Sequence, residues 1–155
     1  MSRRAEIQMS DDEIATFMDE QRTMTCATFG PRGWPHLAPL WYVLRDGRIW
    51  AWTFAKSQKA LDLVRDPRAT LQVETGEQYD QLQGATFECD AVLHREVDVV
   101  AELGIELLSR YAGVPRLPEE AVAGVRKQAA KRVGLEFVER RRASWDHRKL
   151  PNGVY

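Results

Sequence analysis

Lys56, Ser57 and Lys59 stand together within Ile49 to Leu71, IWAWTFAKSQKALDLVRDPRATL. A β-prone run (Ile49, Trp50, Trp52, Thr53, Phe54) leads into them. Apolar residues at helical spacing (Leu61, Leu63, Val64) follow and stop at Asp66-Pro67. Two lysines and a serine therefore sit where a strand passes into a helix. The first N–H groups of a helix have no partner within it, and the macrodipole is positive there. That combination suits an anion, most often a phosphate. Taken alone, the same residues also describe a solvated helix start capped by Ser57. The choice rests on whether a phosphate-bearing cofactor lies against the preceding strands.

Other side chains with chemical potential are more dispersed. Of the tryptophans Trp34, Trp41, Trp50, Trp52 and Trp145, Trp50 and Trp52 share one strand face, with Trp41 across a hairpin. Aromatic walls of this kind suit a flat heterocycle, and equally a packed core or a subunit interface. His36, His94 and His147 are scattered, with no Glu, Asp or Cys at ligand spacing, which argues against a metal site. His147 stands out only because it lies between Trp145 and Arg148. Arg140 to Arg142 reads as a solvated edge, or as a patch that steers a polyanionic tail. No dinucleotide fingerprint, P-loop or nucleophile elbow is present.

The frame that must position these groups is ordinary. With 155 residues, 29% of them charged, and net charge −1, the chain is expected to form one domain over residues 1–155. The charge balance excludes a strongly basic nucleic-acid binder, and the apolar content argues against disorder. Cys26 and Cys89 lie in strand-like runs and read as buried thiols of a reducing compartment. No apolar run approaches the ~20 residues of a membrane span, and the first residues lack an apolar signal core. The expected location is cytoplasmic.

Ser10-Asp11-Asp12-Glu13 is a capping-box sequence and predicts a helix from about Asp11 to Glu20 that lays Ile14, Phe17 and Met18 on the core. Strands are expected at Thr23–Gly30, His36–Leu44 and Arg48–Phe54, the last two joined by an Asp46-Gly47 hairpin. A short helix follows, then strands at Ala69–Thr75 and Ala85–Arg95. Helices are expected from Val97 to Tyr111, ending at Gly113, and from Pro118 to about Lys131. Arg132–Val138 and Ala143–Lys149 read as two final strands. Five or six strands with antiparallel neighbours and three or four helices make an α+β protein built on an antiparallel barrel. A doubly wound parallel sheet is excluded because a hairpin, not a helix, joins the second and third strands.

The segment WYVLRDGRIWAWTFAKSQKALDLVRDPRATL resembles the pyridoxamine 5′-phosphate oxidase-like split-barrel flavoproteins. That family carries a hairpin, a Thr-x-x-x-Ser-x-Lys turn, a helix and an Asp-Pro-Arg step, here Thr53, Ser57, Lys59 and Asp66-Pro67-Arg68. The ending Ser144-Trp145-Asp146-His147-Arg148-Lys149-Leu150 is similar to that of the actinobacterial branch that uses the deazaflavin coenzyme F420. The resemblance runs from the first helix through Thr75 and returns at the end. It implies a split barrel with flanking helices, and a homodimer holding its cofactor in a groove between subunits. It implies that Lys56, Ser57 and Lys59 hold the cofactor phosphate. Pro39, Leu40 and Trp41 would lie along the ring and offer backbone hydrogen bonds, and Trp52 and Thr53 would flank it. Trp145 and Arg148 come into the cofactor site through the terminal motif.

Two departures stand against the oxidases proper, which usually have arginines where Ala38 and Gln58 stand here. Both normally bind flavin phosphate, so the implied activity moves away from pyridoxamine-phosphate oxidation. The cofactor type stays open, and the leading reading that the resemblance implies is an F420-dependent reductase passing hydride to a small organic acceptor. The alternatives are an FMN enzyme of the same fold, a flavin-binding protein that sequesters without turnover, and a degenerate dimer with no cofactor. No catalytic side chain is assigned. Tyr42 is a nearby donor, and solvent is another.

Overall fold

The computed structural model describes residues 2–151. A short helix α1 (Arg3–Glu6) precedes α2 (Asp11–Glu20). Then come β1 (Met24–Phe29), β2 (Pro35–Leu40), β3 (Val43–Arg45), β4 (Arg48–Phe54), α3 (Gln58–Arg65), β5 (Arg68–Thr75) and β6 (Gln83–His94). The long helix α4 (Val97–Ala112) and α5 (Glu119–Ala129) lead into β7 (Arg132–Asp146). Single 3-10 turns follow β5 at Tyr79–Gln81 and β7 at His147–Lys149.

The seven strands form one sheet in the order β2-β1-β5-β6-β7-β4-β3, every pair antiparallel. The α+β antiparallel architecture is as the sequence implied. The sheet is not closed: β2 and β3 are its edges.

Local signals account for several elements. The capping box is complete: the Ser10 hydroxyl accepts from Glu13 N at 3.2 Å, and the Glu13 carboxylate accepts from Ser10 N at 2.7 Å. Asp46 and Gly47 both have positive φ, 49° and 76°, as a two-residue hairpin loop between β3 and β4 requires. Gly113 ends α4 in the left-handed conformation, as its position predicts.

The inward face of the sheet carries Met24, Cys26, Ala51, Leu71, Val73, Phe87, Leu135 and Phe137, and Ile14, Phe17 and Met18 of α2 join this core. Both cysteines are buried free thiols, pushed up to about 12 by that burial. The outward face of β4 is covered by α4, where Leu103 and Leu107 cluster with Val43, Trp50, Trp52 and Tyr111.

Three expectations change. The run His36–Leu44 is not one strand, because the chain breaks at Trp41-Tyr42 between β2 and β3. Tyr42 turns fully inward there, and its hydroxyl donates to the Met18 carbonyl at 2.6 Å. The two final strands are one, β7, whose register against β6 slips beside Glu88 and Cys89 and leaves Arg140 as the extra residue. The described residues hold seven strands and five helices rather than the smaller counts expected.

Candidate functional site

β4 delivers Thr53 to the inside of the sheet, 4% exposed, and the chain turns through Ala55 and Lys56 into α3. Ser57 is the N-cap: Ala60 N donates to its hydroxyl at 3.3 Å. Lys59, in the first turn, reaches back so that its Nζ donates to Thr53 Oγ1 at 3.2 Å. Thr53 Oγ1 and Ser57 Oγ are themselves 3.2 Å apart. Three of the residues the sequence singled out thus form one cluster. Burial lowers the Lys59 pKa, and the nearby charge of Arg132 pushes the same way. Lys56 is exposed beside them.

Gln58, one of the two positions where the resemblance to the oxidases implied an arginine, is otherwise engaged. Its amide donates to Asp62 Oδ1 at 2.7 Å. Asp62 is fully buried and also accepts from Thr28 Oγ1 at 2.8 Å.

A second cluster lies at the open edge. A cleft of about 300 Å³ is lined by Thr23, Pro39, Leu40, Trp41 and Trp52. β2 pairs only with β1, so its outer backbone groups at Pro39 and Leu40 have no strand partner. Trp41 is 48% exposed, and one of its faces is stacked on Tyr111 of α4. Trp52 is held from behind by the same helix: a β-carbon built at Gly104 would lie 2.3 Å from its Cζ3. Four predicted ring contacts therefore share one aromatic-walled cleft, and both walls lean on α4.

Trp145 and Arg148 lie elsewhere. Trp52 pairs with Gly134 near the start of β7, whereas Trp145 pairs with Gly84 near its end. The separation is roughly 35 Å along the strand. Trp145 packs its ring on Gly84. Arg148 ion-pairs with Asp146 at 2.7 Å, and that contact is the main reason the Asp146 pKa is lowered. The hollow beside them is lined by Asp12, Glu13, Glu20 and Asp146, a poor setting for a phosphate. Within one chain these two residues are not brought to the cleft. His147 is buried, with its Nδ1 2.9 Å from the Tyr79 carbonyl oxygen, where it ties the two 3-10 turns together.

Sequence reading passed over two residues. Tyr111 looked like the end of a helix, and Arg132 like the first residue of a strand. Ala55 N donates to the Lys131 carbonyl at 2.9 Å, which brings the start of β7 to the turn before α3. The Arg132 guanidinium then lies 4.2 Å from the Trp52 ring centroid and 4.0 Å from that of Phe54. Its Nε is buried with no hydrogen-bond partner among the described residues. A lysine and an arginine without carboxylate partners, one carrying an orphaned N–H, beside a flat apolar cleft, fit a ligand with a phosphate and a heterocyclic ring. Among the described residues no cluster of His, Cys, Asp or Glu could hold a metal ion, and no helix is long and apolar enough to cross a membrane.

Known proteins share this fold. Residues 10–139 match the family described as pyridoxamine 5′-phosphate oxidase. A conserved hypothetical protein from Mycobacterium tuberculosis is 45% identical, with a TM-score of 0.88 over 98% of this chain and 95% of that one. An F420 reductase, 15% identical, superposes with a TM-score of 0.64 over 83% of this chain and 94% of its own. An FAD-binding protein from Mesorhizobium loti, also 15% identical, gives 0.66 over 88% and 94%. At such identity the last two establish the shared fold alone. No curated protein matched the sequence.

Proposed function

The chain belongs to the pyridoxamine 5′-phosphate oxidase family, and from that premise we propose that it is an oxidoreductase that binds coenzyme F420 and reduces a small organic acceptor. The observation that carries this reading is the pairing of the Trp41–Trp52 cleft with the carboxylate-free cations Lys59 and Arg132. A bound deazaflavin supplies hydride chemistry, and the protein's part is to bind, orient and exclude water. Lys59, held by Thr53 in the first turn of the helix that Ser57 caps, anchors the phosphate. The edge of β2 at Pro39 and Leu40 would meet the polar rim of the ring, and Trp41 and Trp52 would hold it between the walls of the cleft.

F420 is preferred over FMN because both oxidase arginine positions are changed. Ala38 carries no charge, and Gln58 is committed to Asp62. The terminal Trp145–Arg148 motif points the same way. Because those residues lie far from the cleft of their own chain, the working unit in this reading is a homodimer in which a second copy supplies them. Exposed Phe29 of β1, Trp34 just before β2 and Leu37 of β2 provide apolar surface for it.

Titration of the protein with F420 and with FMN tests the reading. Micromolar or tighter binding of F420 with no binding of FMN supports it, and the reverse would transfer the site to FMN. Reduced cofactor is then offered a panel of acceptors. Oxidation by one of them identifies an enzyme, whereas a bound, reducible cofactor that no acceptor oxidises would make this a sequestering protein.

A further inference from the structure

We propose that Arg132 is a second ligand of the cofactor's phosphate and substitutes for the arginines absent at Ala38 and Gln58. The inference rests on the cofactor reading above and deepens it by naming a residue that no motif marks.

Three observations converge. The first is position. Arg132 is the Cα partner of Phe54, and the Ala55–Lys131 hydrogen bond ties its neighbour to the turn that opens α3. The resemblance to the oxidases implies phosphate-binding arginines at the positions of Ala38 and Gln58; here β7 brings an arginine to the turn that opens α3. The second is charge. Lys59 and Arg132 are both lowered in pKa by burial, and no carboxylate acts on either. Two half-buried cations near each other repel, and an anion between them relieves both.

The third is the orphaned Nε. A buried N–H without an acceptor is costly and uncommon in folded proteins. Among the described residues the guanidinium's only side-chain acceptor is Gln128 Oε1, 3.4 Å from Nη2. Trp52 and Phe54 hold the guanidinium plane, which pre-sets it for paired contacts with phosphate oxygens. The competing account makes Arg132 a cation–π clamp that only keeps Trp52 in place.

The experiment separates the two by comparing ligands that differ in the phosphate. Dissociation constants are measured for F420 and its phosphate-free ribityl deazaflavin chromophore, and in parallel for FMN and riboflavin. Wild type, Arg132→Gln and Arg132→Lys are used, each checked by circular dichroism and melting temperature. In the pair that wild type binds, Arg132→Gln is expected to weaken the phosphate-bearing ligand by roughly 10- to 100-fold and to leave the phosphate-free one nearly unchanged. Arg132→Lys keeps the charge without the fork and should fall between. If Arg132→Gln does not fold, the lysine variant carries the same comparison.

Equal weakening of both members of a pair would make Arg132 a clamp and overturn the inference. So would no change in either. Wild type that binds neither pair would overturn the cofactor reading itself, and this inference with it.

Discussion

Tyr111 and Trp41 stack face to face, with ring centroids 4.1 Å apart and planes 7° from parallel. Tyr111 is itself fixed at its hydroxyl, which accepts from Tyr42 N at 3.1 Å and from Arg110 Nη1 at 2.9 Å and donates to the Arg22 carbonyl. Trp41 therefore has one indole face committed to α4, and the other borders the cleft. Seven residues earlier on the same helix, Gly104 takes the ring of Trp52. Two residues spaced by two helical turns lie on one face of a helix, so α4 sets both walls of the cleft.

Tyr111→Leu removes the stack and the hydroxyl network together. Cofactor affinity should fall by roughly 3- to 10-fold, the worth of an aromatic pair, because Trp41 loses its support. Tyr111→Phe keeps the stack and should bind nearly as wild type while melting a few degrees lower. Titration and thermal melting of both variants check this. Equal binding by the leucine variant would mean that Trp41 needs no support.

Gly104→Ala places a methyl where the Trp52 ring now sits, 2.3 Å from Cζ3. Either the ring or α4 must move. Overpacking of this kind costs about 1–3 kcal/mol, read as a lower melting temperature. Affinity for the cofactor should drop with it, since the displaced ring is a cleft wall. Gly124, where a β-carbon meets nothing within 4 Å, is the control: Gly124→Ala should lose neither stability nor binding.

Elements written in local chemistry were legible in the sequence. The Ser10–Glu13 capping box, the Asp46-Gly47 loop, the Ser57 cap and the Gly113 stop each depend on a few adjacent residues, and each is where the sequence puts it. The misreadings share a cause. Glu139 to Arg142 interrupts the apolar alternation of β7, so one strand looked like two; its continuity is maintained by pairing with β6, a non-local fact. The break at Tyr42 depends on carbonyls at Met18 and Gln21. The site divides the same way. Thr53, Ser57 and Lys59 are close in sequence and were readable as a motif. Arg132 and Tyr111 come from distant segments, and nothing in their local pattern marks them.

Lys59→Ala should weaken cofactor binding far more than it lowers stability. A charge-assisted contact to phosphate is worth roughly 10- to 100-fold in affinity. In the fold Lys59 gives up one hydrogen bond, to Thr53, about 1 kcal/mol or some 2–4 °C of melting temperature. Unchanged affinity in the mutant would remove Lys59 from the anchor.

Acid should destabilise the protein through Asp62 and Asp146. Burial alone would raise the Asp62 pKa, but hydrogen bonds from Gln58, Thr28 and Arg65 outweigh it and hold the carboxyl below its ordinary value. Asp146 is lowered chiefly by Arg148. A carboxyl depressed in the folded state contributes stability above its unfolded pKa of about 4 and loses it as pH falls through the folded value. Melting temperature should therefore fall below about pH 4. Asp62→Asn should be less stable at neutral pH, by about 2 kcal/mol, with a shallower acid limb. An unchanged limb would place the acid sensitivity in other carboxyls.

The distance between Trp145 and the cleft makes the oligomer testable through the site itself. β2 is an edge strand that leaves Leu37 64% exposed, next to Trp34 at 74%, and an apolar edge of this kind invites another chain. The expected solution mass is twice the 17.8 kDa of one chain, and Leu37→Glu should shift it toward the monomer and lower cofactor affinity. If a second copy supplies Trp145 and Arg148, each site is built from Lys59 of one subunit and Trp145 of the other. Lys59→Ala and Trp145→Ala should then each bind poorly alone. Mixing the two after reversible dissociation puts both defects into one site of the mixed dimer and leaves its other site intact. Recovery of tight binding in the mixture, in proportion to mixed dimer formed, is the expected result. A mixture no better than its components would place Trp145 outside the site and return it to its packing role on Gly84.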